Sequence, residues 1–148
     1  MTPIEETRLP VMLSIRGEQH FDDVDPDITE LITAGTLACL TDGRMLLEYQ
    51  ETALTGMEGT TTTFEINGSR VILTRSGKVN SHMVFQEGRQ HTSLYETPYG
   101  ELPVDIQTSF LRHNLNERGG IMKIQYSIAV AHTVTGRNCF KIRVKRKI

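Results

Sequence analysis

Four side chains in this sequence are of the types that hold an anion: Tyr49, Glu51, Arg75 and Tyr126. A guanidinium offers parallel N–H donors to a carboxylate or phosphate, a carboxylate orients that guanidinium, and phenols add single hydrogen bonds along an apolar wall. These residues are distant in the chain, so they cooperate only if extended segments carry them to one face. Along an extended segment the side chains alternate, and positions two apart share a side. If Leu47 faces a core, so do Tyr49 and Glu51. If Val71 and Leu73 do, so does Arg75, while Met122 and Ile124 bring Tyr126, and Thr62 and Thr108 add hydroxyls. Such a convergence makes a polar floor or mouth suited to a small, partly apolar anion. The plainer alternative is that Glu51 and Arg75, at strand ends, pair with each other or lie solvated at a rim, and of these two fates structural pairing is preferred.

The string Tyr95-Glu96-Thr97-Pro98-Tyr99-Gly100 adds Thr97 and Tyr99 as further ligand candidates. It also has a simple structural account: a corner whose Pro fixes φ, whose Gly takes a strained angle and whose Tyr plugs the end of the core. The C-terminal stripe Lys141, Arg143, Lys145 and Lys147, with Arg146 and Lys123 nearby, is the strongest local charge feature. It is the alternative interaction surface, for protein or nucleic acid. Two considerations argue against nucleic acid there. No aromatic residue interleaves with the cations on the outward face, and the same lysines would protect an edge-prone strand or face the acidic first strand and its Asp-rich loop.

Enzyme signatures are missing. There is no Walker-type loop, Gly-x-Ser-x-Gly elbow or helical His-Glu-x-x-His. Cys39 and Cys139 have no paired spacing, and the five histidines never fall two or four residues apart, so no zinc site, redox pair or cofactor is indicated. The sequence leans away from an enzyme.

The elements that must position these residues are short alternating segments punctuated by Asp42-Gly43, Asn67-Gly68, Ser76-Gly77 and Arg118-Gly119-Gly120. Dipeptides of this kind supply the positive φ of tight hairpin turns. Strands are expected at Leu9–His20, Ile28–Leu40, Arg44–Glu51, Thr60–Asn67, Ser69–Ser76, Lys78–Gln86, Gln90–Thr97, Glu101–His113, Ile121–Ala131 and Asn138–Ile148. The segment at Ile28 imitates a helix capping box with Asp27 and Glu30, but its β-branched content favours strand. Lys78–Gln86 and Gln90–Thr97 are expected to form a hairpin about Glu87-Gly88-Arg89. Val104, Ile106, Thr108 and Phe110 are expected to share the inward face, with a short helix through Phe110, Leu111, Asn114 and Leu115 as the alternative. A meander of this length hides its edges most simply by closing into a barrel.

With 148 residues, 38% hydrophobic content and a net charge of −2, the chain suits one domain over residues 1–148. Its start, Met1 to Thr7, is polar and acidic and lacks the regions of a signal peptide, and no run of about 18 apolar residues occurs. A cytoplasmic protein that does not enter membranes is expected.

Several strings are recognisable: Glu48-Tyr49-Gln50-Glu51, Thr55-Gly56, Arg75-Ser76-Gly77, Met83-Val84-Phe85, Tyr95 to Gly100, and Gly119 to Tyr126. Together they resemble the bacterial YwiB-like family, a domain of unknown function with a calycin-type β-barrel, over Leu9 to Val144. The resemblance implies an all-β fold, a single antiparallel meander closed into an eight- to ten-stranded calycin-like (lipocalin-like) barrel, and cytoplasmic residence. It carries no activity. The sequence has no Trp, so the lipocalin Gly-x-Trp signature is absent, and lipid binding would rest on fold analogy alone.

Overall fold

The structure, a computed structural model, describes residues 5–21, 24–78, 80–97, 99–130 and 133–147, with the side chains of Thr55, Glu96, Thr97 and Thr135 left aside. Among them run ten strands: β1 (Glu6–His20), β2 (Asp27–Leu40), β3 (Met45–Gln50), β4 (Thr60–Asn67), β5 (Arg70–Gly77), β6 (Ser81–Gln86), β7 (Gln90–Thr97), β8 (Gly100–His113), β9 (Gly119–Val130) and β10 (Thr133–Arg146). Among the described residues the one helical feature is a single 3₁₀ turn, Ala53–Thr55. No helix among the described residues is long and apolar enough to cross a membrane.

Period-two burial builds the barrel. Leu13, Leu37, Leu47, Phe64, Ile66, Val71, Leu73, Phe85, Ile106, Ile124 and Ile142 are sealed inside, each contributing about 1.5–3 kcal/mol through burial. The segment after Asp27 is strand, because β-branched residues suit a pleated surface and its inward Leu31 and Leu37 reach the core.

The strands form one antiparallel sheet in the order β6-β5-β4-β3-β2-β1-β10-β9-β8-β7. The first and last strands pair over ten residues, from Val11 opposite Arg146 to His20 opposite Arg137. The barrel is therefore nearly closed, and its seam falls in the middle of the chain. This corrects the expected β6–β7 hairpin: the two strands adjoin without a ladder. The reason is competition from β8. Gly88 N donates to Thr108 O at 2.9 Å, Thr108 N donates to Arg89 O at 3.2 Å, and the Glu87 carboxylate accepts from Leu111 N at 3.2 Å and from the Arg112 guanidinium at 2.6 Å. The connection is held on β8, which draws β7 away from β6.

The same region corrects two further expectations. A bulge between Thr108 and Phe110 inverts the alternation of β8, so Leu111 is buried while Phe110 is only half-buried. Bulges do this by adding one unpaired residue. β8 continues to His113 as strand, so no helix forms through Phe110 to Leu115. Ser76-Gly77 is not a hairpin turn either: β5 runs through Gly77, and Asn80 closes the following turn by accepting from Gly77 N at 3.2 Å and donating to Gly77 O at 3.0 Å.

Candidate functional site

Two cross-strand rows of polar residues meet the barrel interior. In the first, Ser81 stands opposite Arg75, Arg75 opposite Thr62, and Thr62 opposite Tyr49, on β6, β5, β4 and β3. In the second, Thr108, Tyr126, Asn138, Gln19 and Asp27 stand opposite one another in turn across β8, β9, β10, β1 and β2. A cavity of about 330 Å³ lies where these rows approach, with Tyr49, Glu51, Arg75 and Tyr126 in its wall. Apolar surface comes from Ile15, Leu31, Met83 and Phe140, and Leu54 and Met57 contribute from the loop after β3. That loop is shaped by Thr52, whose Oγ1 accepts from Leu54 N at 3.3 Å, and by Gly56 with φ of 73°.

Tyr49 owes its place to Gly35, directly opposite on β2. A Cβ there would lie 2.5 Å from Glu48 O and 3.3 Å from the Tyr49 Cβ, so only glycine lets β3 approach this closely.

Glu51 is almost wholly buried. Its main chain is fixed by the bond from its N to Thr60 O at 2.8 Å, and its Oε1 accepts from Thr62 Oγ1 at 2.6 Å. The same oxygen lies 3.9 Å from Arg75 Nε, a separation that carries charge attraction but no hydrogen bond. The Arg75 side chain is 12% exposed, and among the described residues its guanidinium donates no hydrogen bond. Three more sealed polar atoms lack partners: Ser81 Oγ, His91 Nε2 and Thr108 Oγ1. All four lie on β5 to β8, the strands flanking the seam.

Three phenols surround this centre. Burial pushes the Tyr49 hydroxyl well above the ordinary phenol range, and the Glu51 charge adds to the effect. Burial also raises Tyr126 strongly and Tyr95 to a lesser degree, so all three act as neutral donors. Tyr126 is clamped between Phe85 and Phe140, with ring centroids at 4.8 and 5.8 Å. Tyr95 closes the seam by donating to Met83 Sδ at 3.1 Å.

The remaining sequence candidates are placed differently. Tyr99 is 99% exposed and neither lines the cavity nor plugs the barrel, because β7 and β8 meet in a tight connection that turns it outward. The backbone of Thr97 pairs with Gly100, and its side chain lies outside the described set, as does Pro98. Lys141, Arg143, Lys145 and Lys147 all face solvent. Of the two structural accounts of that stripe, edge protection fails, while β10 does face the first strand, and Asp22 and Asp23 of the acidic loop lie outside the described residues. β10 is not an edge, being paired with both β1 and β9, and its cations stand opposite Arg16, Ser14 and Met12 rather than acidic residues. Among the described residues no three His, Cys, Asp or Glu side chains gather in a way that could hold a metal.

Asn138 and Tyr95 line the cavity although the sequence did not single them out as site residues, and Ser81 stands opposite Arg75 of its wall. Ser81 and Asn138 share the inward phase of Met83 and Phe140, and that period was the available signal.

These features define a ten-stranded, nearly closed antiparallel barrel with a small polar-floored cavity. The chain belongs to the family described as Domain of unknown function (DUF1934), whose model matches residues 13–142. It is 26% identical over 121 residues to the Uncharacterized beta-barrel protein YwiB of Bacillus subtilis (strain 168), covering 82% of each chain. It is also similar to the crystal structure of the ywiB protein from Bacillus subtilis, with a TM-score of 0.82 and 21% identity over 95% of this chain and 94% of that one.

Proposed function

We propose that the barrel binds a small, partly apolar anion, a carboxylate or phosphate monoester, with Arg75 as its charge partner. The supporting observation is Arg75 Nε, sealed from solvent at a cavity wall without a hydrogen-bond partner. Buried polar groups are ordinarily satisfied, so this donor suits an acceptor that arrives with a ligand. Glu51 neutralises the guanidinium from 3.9 Å and is itself bonded to Thr62, which leaves the Arg75 N–H groups available. Tyr49 and Tyr126 orient the polar end, and Leu31, Ile15 and Phe140 receive the apolar part. At about 330 Å³ the cavity is at the small end of ligand pockets, which span roughly 300–1,000 Å³. It suits a compact metabolite rather than a long acyl chain. The two cysteines are free, which fits residence in the reducing cytoplasm.

Native mass spectrometry of the purified protein, with thermal-shift titration of carboxylate and phosphate metabolites, tests the proposal. A ligand at a hundred times its Kd is expected to stabilise the fold by about 2.7 kcal/mol, and Arg75→Met is expected to abolish the shift. A protein that carries nothing and whose melting temperature no member of the panel moves would overturn the proposal.

A further inference from the structure

The outer face of β8, β9, β10 and β1 carries a feature that the interior cavity does not explain. Arg16, Lys141, Lys123 and Arg112 stand opposite one another in turn on four neighbouring strands. At about 4.8 Å per strand the row spans roughly 14 Å. Its ends are compensated, Arg16 by Glu18 at 3.0 Å and Glu30 at 2.8 Å, and Arg112 by Glu87 at 2.6 Å. Its centre is not: among the described residues neither Lys123 nor Lys141 has an ion-pair partner. Like charges directly opposed across a ladder are destabilising, and β10, paired on both sides, needs no edge protection that would explain them.

The β8 bulge places an aromatic ring beside these cations. Phe110 lies outward, with the Arg112 guanidinium 5.2 Å and the Lys123 ammonium 5.9 Å from its centroid. Adjacent to the row is a shallow concavity of about 780 Å³ into which Ser109, Gln125 and Ser127 present hydroxyl and amide groups. Glu18, the acidic residue in that lining, is already bonded to Arg16 and to His20 at 3.2 Å. Paired cations, an adjacent ring and neutral hydrogen-bonding groups are what a single strand of nucleic acid needs: charges for phosphates, a platform for a base, and donors and acceptors for base edges. The protein's net charge of −2 makes this a local surface and not a general polyanion trap.

We infer that this outer face binds single-stranded nucleic acid, with successive phosphates on Lys141 and Lys123 and a base stacked at Phe110. The concavity shares Glu18, Tyr126, Asn138 and Cys139 with the wall of the interior cavity, but the proposed contacts use none of them. Fluorescence anisotropy with a labelled oligo(U) of about a dozen nucleotides, a length within the range such surfaces cover, tests it beside an oligo(dT) and a polyphosphate of similar charge. Wild-type protein is expected to bind the oligonucleotides with an affinity that falls as salt rises. The double substitution Lys123→Gln/Lys141→Gln removes two phosphate contacts, so the loss of affinity between about 50 and 200 mM salt should shrink by about sevenfold. Phe110→Leu should weaken oligonucleotide binding by about fivefold or more while leaving polyphosphate unaffected, and Arg75→Met should leave oligonucleotide binding intact. Should Phe110→Leu fail to fold, the lysine pair decides alone. No oligonucleotide binding at about 50 mM salt, binding indifferent to the lysine pair, or a Phe110→Leu protein that folds and binds both polymers normally would each overturn the inference.

Discussion

Arg75 Nε and Glu51 Oε1 face each other at 3.9 Å inside the barrel, an ion pair without a hydrogen bond. A buried charge that loses its partner is costly, whereas removing both charges together is often nearly neutral. Glu51→Gln alone should therefore cost about 2–4 kcal/mol in urea unfolding, and Glu51→Gln/Arg75→Met should recover most of that loss. Equal losses in the single and double variants would show that the two charges do not communicate.

The buried phenols set an alkaline limit. Tyr49 and Tyr126 have folded-state pKa values raised above the unfolded value, chiefly by burial. Their neutral forms favour the fold, so this stabilisation is complete below the ordinary phenol value of about 10 and is lost as pH rises above it towards the folded-state values. Urea midpoints should hold to about pH 9 and then fall, each phenol contributing a slope of up to about 1.4 kcal/mol per pH unit. Tyr126→Phe should flatten that slope, and an unchanged slope would count against a buried neutral phenol.

Gly35→Ala should be poorly tolerated. Its Cβ would meet the Glu48 carbonyl oxygen at 2.5 Å and Leu13 Cδ1 at 3.0 Å, and backbone must move to relieve the first contact. A loss of about 1–3 kcal/mol is expected, and a ligand bound at Tyr49 should lose affinity in parallel. A variant with wild-type urea midpoint would show that β3 is free to shift.

Hydrogen exchange should reveal the seam. β6 and β7 each have one ladder neighbour, whereas β1 and β10 have two. Peptides covering residues 81–97 should exchange well before those covering 9–19 or 138–146. Uniform protection would mean that the two edges are bridged in solution.

Much of the fold was legible because period two is strict wherever one face is buried: Val11, Leu13 and Ile15, or Met122, Ile124 and Tyr126, can sort in only one way. The same rule brought Tyr49, Glu51, Arg75 and Tyr126 to one cavity wall. It failed at Phe110, because a bulge is decided by hydrogen bonds from residues 87–89 to β8 and leaves no trace in local alternation. It failed again at Glu87-Gly88-Arg89, which has hairpin composition but is captured by a strand some twenty residues later in the chain. Tyr99 was misplaced because a Thr-Pro-Tyr-Gly string specifies a turn without specifying which way its ring points. Strand order was equally hidden: alternation identifies faces, and only long-range pairing decides that β1 meets β10.

That pairing bears on synthesis. Until β10 leaves the ribosome, β1 presents an unpaired edge along Val11 to His20, and the interior of a half-built sheet remains wet. Closure waits on a contact between segments as distant in sequence as Val11–His20 and Arg137–Arg146, which makes folding slow for a chain of this size and exposes the nascent protein to aggregation. Shortening the chain by its final strand would accordingly remove the closing stave of the barrel, leaving a sticky intermediate in place of a slightly smaller protein.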